Sequence, residues 1–165
     1  MKISYEFMAE DYWKFNKFAI TKVPRLRNGI LKQLILMPII FMVLNYMMNM
    51  PLWMTIVECI IFIPIFYGFL MIQLRARSLK YIKGNKAMLC EHIFEIDEEG
   101  IKGYTENTNS NYNWNTIRNL MENKEYVYLF FDEVMAVIIP KRAFATEEEA
   151  SEFVKYSLEH IEKNK

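Results

Sequence analysis

Three polar residues interrupt the most apolar part of the chain, and their spacing allows them to contact one another. Residues 33–74 contain Asn45, Thr55 and a single charged residue, Glu58. A tight turn near residue 50 places Asn45 opposite Thr55, which lies about one helical turn before Glu58. We expect these three residues to form a polar cluster, because a carboxylate at mid-bilayer costs about 2.5–3.5 kcal/mol and needs partners. The cluster would join two helices or carry a proton or ion; alternatively, Glu58 is shallow and lies near the outer interface.

The basic pair Lys141–Arg142 is the second candidate, because it directly follows Pro140 at the end of a predicted strand. Adjacent cations bind a carboxylate or a phosphate well. The pair is therefore the best cytoplasmic candidate for binding a carboxylate or phosphate of a partner. The alternative is structural: the two cations pair with the glutamates at 147–149, or they simply end the strand.

Residue types that could bind metal or catalyse a reaction are too scattered elsewhere to predict such a site. Cys90 and His92 share one strand face, but no second pair follows with the spacing of zinc ligands. The methionines at 47–54 offer thioethers for Cu(I), although methionine is also a common filler of apolar surfaces. The sequence has no Gly-rich phosphate loop and no nucleophile elbow. We expect no catalytic residue, no metal and no cofactor, and therefore a protein that is not an enzyme.

The apolar stretch that holds the cluster is long enough to cross a membrane twice. A spanning helix needs about 20 mostly apolar residues, and residues 33–74 supply two spans with Asn49-Met50-Pro51 as a turn. Both segments are apolar on all sides, whereas the helices of a soluble protein have a polar stripe. We predict a transmembrane hairpin with spans at about 33–48 and 52–74.

Basic residues on both sides of the hairpin predict its orientation. Residues 12–32 contain six basic residues and no acidic one, and residues 75–86 contain five basic residues and no acidic one. Because basic flanks stay in the cytoplasm, we expect both termini to be cytoplasmic. The second basic group should also contact the anionic lipids of the inner leaflet; it consists of Arg75, Arg77, Lys80, Lys83 and Lys86.

The chain is therefore predicted to have four parts. They are a strand and an amphipathic helix at 1–32, the hairpin at 33–74, a basic linker at 75–86 and a cytoplasmic domain at 87–165. The last part has eight basic and sixteen acidic residues. Nucleic acid is a poor partner for it, because phosphate binding requires a basic face.

Alternating apolar residues and turn signals predict a small antiparallel sheet after the linker. The expected strands are 88–96, 101–106, 112–121, 125–131 and 134–139. Ile3, Tyr5 and Phe7 alternate in the same way, and we expect them to add a strand to this sheet, because five short strands leave an open edge. Thr146 and Glu149 form a capping box that begins a final amphipathic helix. The predicted fold class is α+β: a transmembrane hairpin plus an antiparallel half-barrel of pleckstrin-homology type, capped by the C-terminal helix.

Several segments are similar to one known family. They are Trp114-Asn115-Thr116-Ile117, Tyr126-Val127-Tyr128-Leu129-Phe130, Ile138-Ile139-Pro140-Lys141-Arg142-Ala143-Phe144 and the opening Tyr5-Glu6-Phe7 with Glu10-Asp11-Tyr12. Together with two central spans, they resemble the YcxB-like family of bacterial membrane proteins. The resemblance implies a bacterial cell membrane, two spans and a cytoplasmic domain around Pro140, and it implies no known activity.

The function that we expect is a membrane-anchored binding or regulatory module that offers its cytoplasmic domain to a protein partner. Two other classes stay open. One is an immunity or resistance factor against a membrane-active peptide. The other is a subunit of a transporter, which would require a homo-oligomer because two spans cannot enclose a pore.

Overall fold

The computed structural model describes residues 1–85 and 88–164, so Lys86 of the predicted basic linker lies outside the described residues. The protein is α+β, with two long apolar helices and two small antiparallel sheets. Its contacts divide the chain into two units. We call Met1–Phe15 with Tyr81–Lys165 the mixed unit and Asn16–Lys80 the helical unit.

The mixed unit contains both sheets. The first has the order β1 (Lys2–Glu6), β2 (Glu91–Ile96), β3 (Gly100–Tyr104) and β4 (Asn109–Asn113). The second has the order β5 (Asn119–Glu122), β6 (Tyr126–Phe130) and β7 (Ala136–Pro140). β1 pairs antiparallel with β2, with Ile3 opposite Phe94. The predicted addition of an N-terminal strand to the distal sheet is therefore confirmed.

The predicted strand at 112–121 is wrong as a single element. The chain leaves the first sheet at β4, makes a 3-10 turn at Trp114–Thr116 and enters the second sheet at β5. Trp114 is only 1% exposed, and its Nε1 donates a hydrogen bond to the Asp97 carbonyl at 3.0 Å. Burial of this indole at the crossing explains the break. The strands hydrogen-bond as two separate sheets.

Two helices cover the sheets of the mixed unit. Helix α1 (Ala9–Lys22) begins here, and Phe15 packs on Tyr128 and Phe130 of β6, with ring centroids 5.6 and 6.0 Å apart. The C-terminal helix, which we number α4 (Glu147–Lys163), lies against β5 and the Trp114 turn. It begins at the predicted capping box, since the Thr146 side chain accepts a hydrogen bond from the Glu149 N–H. β6, on which Phe15 of α1 packs, is buried along its whole length.

The helical unit consists mainly of two long helices. Helices α2 (Pro24–Met47) and α3 (Leu52–Gly84) are both long and apolar enough to cross a membrane, judged by length and composition. Asn49 in the turn between them has a φ of 55°, a backbone conformation that asparagine tolerates better than most residues. Each helix extends beyond its predicted span at the end far from the turn, because apolar composition marks only the parts near the turn. Pro24 begins α2 well, since the first helical position needs no N–H partner.

Candidate functional site

Arg142, one of the two predicted binding cations, is engaged with a buried carboxylate of the same unit. Its Nη1 and Nη2 donate to Asp11 Oδ1 and Oδ2 at 2.8 and 2.7 Å. The Asp11 side chain is 2% exposed, whereas that of Arg142 is 42% exposed. The Tyr126 hydroxyl also donates to Asp11 at 2.6 Å, and the Met8 backbone N–H does so at 2.8 Å. Asp11 is not among the predicted site residues, although Glu10-Asp11-Tyr12 is part of the family resemblance and the acid lies in the first turn of α1.

These contacts fix the charge of the pair. Burial raises the pKa of Asp11, but the hydrogen bonds from Arg142, Tyr126 and Met8 outweigh it and leave the pKa below its ordinary value. The hydrogen bond to Asp11 raises the pKa of the Arg142 guanidinium. Both groups therefore stay ionised at neutral pH. The pair joins the first turn of α1 to the residues that follow β7.

Lys141 also has an acidic partner. Its Nζ lies 2.6 Å from Glu122 Oε2, and both side chains are partly exposed. The acidic partners of the basic pair are thus Asp11 and Glu122, rather than the glutamates at 147–149. Partner binding by Lys141 and Arg142 stays a prediction.

An open groove brings a third cation beside this pair. It has a volume of about 580 Å³, and its lining contains Lys124, Lys141 and Arg142 together with one acidic residue, Glu147, at the start of α4. Lys124 is exposed and has no ion pair within the described part of the chain. Lys124 lies between the predicted strands 112–121 and 125–131, and no sequence pattern connects it with Lys141. The connection comes from the pairing of β6 with β7, where the Lys141 N–H donates to the Glu125 carbonyl at 2.7 Å.

The structure brings the three residues of the predicted polar cluster together in the helical unit. The Asn45 amide nitrogen donates to Thr55 Oγ1 at 3.0 Å and to Glu58 Oε2 at 2.8 Å. Asn45 is 6% exposed and is the buried residue of α2. The short turn between antiparallel helices produces this contact. The cluster therefore joins α2 to α3 by an amide that uses both of its hydrogens.

His92, which shares a strand face with Cys90, has aromatic neighbours. His92 stacks with Tyr5 at a centroid distance of 5.9 Å and lies 5.3 Å from the ring of Phe7. Burial lowers the pKa of His92. In residues 1–85 and 88–164, no three His, Cys, Asp or Glu side chains converge as a metal-binding group.

The fold and the groove define a class: an α+β protein with two long apolar helices and a small two-sheet unit that carries a basic groove in an acidic part of the chain. Residues 96–157 match the family model described as YcxB-like protein. The predicted resemblance is thereby confirmed for the stretch from the end of β2 into α4, which includes all three groove cations. No curated protein and no solved structure matches the chain.

Proposed function

We propose that this protein is a membrane-anchored binding or regulatory module, not an enzyme. In this proposal α2 and α3 cross the bacterial cell membrane as a hairpin. The exposure of their apolar side chains supports it: Ile35, Ile60 and Ile72 are 62–70% exposed. Each large apolar side chain left in water forgoes about 1.5–3 kcal/mol of burial free energy, so a lipid environment suits these surfaces.

The basic flanks support a hairpin with both termini in the cytoplasm. Arg25 and Arg27 lie at the start of α2, and Arg75, Arg77 and Lys80 lie toward the end of α3. The turn between the helices, at 48–51, is uncharged. Basic residues beside membrane spans remain in the cytoplasm. The mixed unit would then face the cytoplasm at the inner leaflet.

We further propose that the two sheets and α4 form a half-barrel of pleckstrin-homology type. The order of four strands, three strands and one helix supports this architecture. A fold of this type does not identify a ligand, so the ligand must be inferred from the residues of the binding site.

The observation that carries the proposed function is the groove. The distal part of the chain, residues 87–165, has eight basic and sixteen acidic residues, yet the groove lining contains three of the eight basic residues and one acidic residue, Glu147. Such a concentration of positive charge favours an acidic segment of a protein partner, because complementary charge steers association. Lys124 is the cation that is free to pair with it, whereas Lys141 and Arg142 already hold Glu122 and Asp11.

Reversal of the free cation tests the proposal. The tagged full chain, solubilised from membranes, should capture a partner, and Lys124→Glu should reduce its recovery several-fold. Lys155→Glu on the exposed face of α4 is the matched control, because it makes the same charge change away from the groove. Equal recovery with both variants would contradict a role for the groove.

The Asn45–Glu58 contact favours a second candidate, in which the activity lies inside the membrane. This class contains a homo-oligomeric transporter and an immunity or resistance factor. Glu58→Gln keeps the shape of the side chain but removes its charge. If this variant abolishes a cellular phenotype at normal membrane abundance while Lys124→Glu preserves it, the second candidate replaces the first.

A further inference from the structure

A small crevice lies in the helical unit, and its lining does not include the polar cluster. Its volume is about 190 Å³. Its apolar lining comes from the end of α1 and from α2, and consists of Ile20, Ile30, Leu31 and Leu34. Tyr67 of α3 also lines the crevice. Arg27 belongs to the same lining and precedes Ile30 and Leu31 by one turn of α2. The crevice therefore has one cationic end and an apolar body.

The helical unit contains few acidic residues that could balance the positive charge of Arg27. Residues 16–80 contain eight basic residues and one acidic residue, Glu58. Glu58 lies near the start of α3, beside the turn, and its partner is Asn45. Arg27 itself is exposed and has no ion pair in the described part of the chain. A negatively charged ligand at Arg27 would meet no competing carboxylate from the helical unit.

We propose that this crevice binds one anionic phospholipid, with the lipid phosphate on Arg27 and an acyl chain along Ile30, Leu31 and Leu34. The inference rests on the proposed membrane placement of α2 and α3. Arg27 and Leu34 are seven residues apart, which is about 10 Å along a helix. This distance fits a headgroup followed by the start of the hydrocarbon region, since the polar layer on each side of a bilayer is several Å thick.

The chemistry of the lining favours a lipid over other anions. A free phosphate ion would use Arg27 but leave the apolar wall without a ligand. An acidic peptide would place backbone N–H and C=O groups against that wall, where they find no hydrogen-bond partners. A phospholipid satisfies both ends, and Arg27 can extend its guanidinium to the headgroup while its stem stays on apolar surface.

Lipid binding to the purified full chain in detergent tests the site, with native mass spectrometry to count bound lipids. Phosphatidylglycerol should bind as a single preferred molecule, and phosphatidylcholine should bind much more weakly. Arg27→Gln should weaken phosphatidylglycerol binding about tenfold, the change that follows from about 1.4 kcal/mol of lost interaction. Lys32→Gln, a neighbouring cation outside the lining, should leave binding unchanged.

A second pair of variants tests the apolar wall without changing charge. Leu34→Trp places a larger side chain in the crevice and should displace the lipid. Ile35→Trp, at an exposed neighbouring position outside the lining, should not. Inorganic phosphate should fail to compete with phosphatidylglycerol, since it lacks the acyl chain.

Three results would overturn the site. These are equal losses with Arg27→Gln and Lys32→Gln, equal binding of the two lipids, and displacement by inorganic phosphate. Carbonate extraction of cell membranes separates this inference from the proposed anchoring. A wild-type chain that stays in the membrane but has no lipid preference overturns only the lipid site. A chain released to the supernatant overturns both.

Discussion

Asp11 joins two distant parts of the sequence, because its partner Arg142 lies 131 positions away. The carboxylate is buried and accepts hydrogen bonds from a guanidinium, a tyrosine hydroxyl and a backbone N–H. The start of α1 is thereby held on the mixed unit, and α1 leads along the chain into α2. Arg142 is thus a structural residue of the groove rim as well as a candidate contact for a partner.

Removal of the guanidinium should destabilise the mixed unit. Arg142→Met leaves Asp11 buried without its cation, and we expect a loss of about 2–3 kcal/mol in the free energy of unfolding. This is below the range of about 3–5 kcal/mol for breaking a fully buried pair, because Arg142 is partly exposed. Hydrogen exchange of the full chain in detergent, read at residues 126–140, measures the loss.

Lys141→Met is the matched control for that variant. Its ion pair with Glu122 is partly exposed on both sides, and such pairs contribute about 0–1 kcal/mol. Protection of the same peptides should therefore remain close to that of the wild type. If both variants lose protection equally, the buried carboxylate is not the cause.

The same pair predicts how stability depends on pH. The folded-state pKa of Asp11 is lowered, so its contribution is fully present above the unfolded pKa of about 3.9 and is lost as the pH falls through the folded value. Asp11→Asn should reduce stability at neutral pH, and its difference from the wild type should shrink below about pH 4. Chemical denaturation of both proteins across this range provides the measurement. A constant difference would contradict the lowered pKa.

At the scale of elements, the approach of β4 to β3 depends on a glycine. A Cβ on Gly100 would lie 2.2 Å from the Tyr112 carbonyl oxygen and 2.9 Å from Asn113 Cα, both backbone atoms of the paired strand. Gly100→Ala should therefore displace β4 and cost about 3 kcal/mol, at the upper end of overpacking effects. Thermal unfolding of the full chain in detergent measures this loss.

Gly103→Ala in the same strand is the comparison. Its Cβ would meet the ring of Phe94 at 2.8 Å rather than a backbone. A side chain can shift where a paired strand cannot, so the expected loss is smaller, about 1 kcal/mol. We therefore predict that Gly100→Ala lowers stability more than Gly103→Ala does. A larger loss with Gly103→Ala would contradict this prediction.

Element types were largely predictable from the sequence, whereas the change of sheet was not. The alternation of apolar residues in β1 and the capping box at Thr146 are local sequence patterns, and each predicted an element that the structure contains. The break at Trp114 is different, because it results from burial of one indole between distant segments. Residues 109–122 contain no Gly or Pro that would mark a turn, so the local sequence contains no clear sign of it.

The candidate sites divide in the same way. The cluster of Asn45, Thr55 and Glu58 was predictable because the turn fixes which residues lie opposite each other across two antiparallel helices. The groove was not, because Lys124 meets Lys141 only through the β6–β7 pairing, and Asp11 meets Arg142 only through packing of α1. Neither contact has a local sequence signature.

At the scale of the whole molecule, the proposed hairpin predicts a membrane topology that cysteine labelling can test. Basic residues flank α2 and α3 at one end, and the uncharged turn lies at the other, so only the turn should be outside the cell. We place single cysteines by Met48→Cys, Asn109→Cys and Lys163→Cys, after replacing Cys59 and Cys90 with serine. Met48 is preferred to Asn49, because the positive φ of Asn49 would strain another residue.

An impermeant maleimide added to intact cells should label the cysteine at position 48 alone, and all three should react after the cells are broken. Asn109 begins β4 and Lys163 ends α4, both exposed in the mixed unit, so their protection in intact cells can come only from the membrane barrier. Labelling of position 109 or 163 in intact cells would place the mixed unit outside. The basic flanks would then lie on the wrong side of the membrane, and the proposed binding of a cytoplasmic partner would fail with the topology.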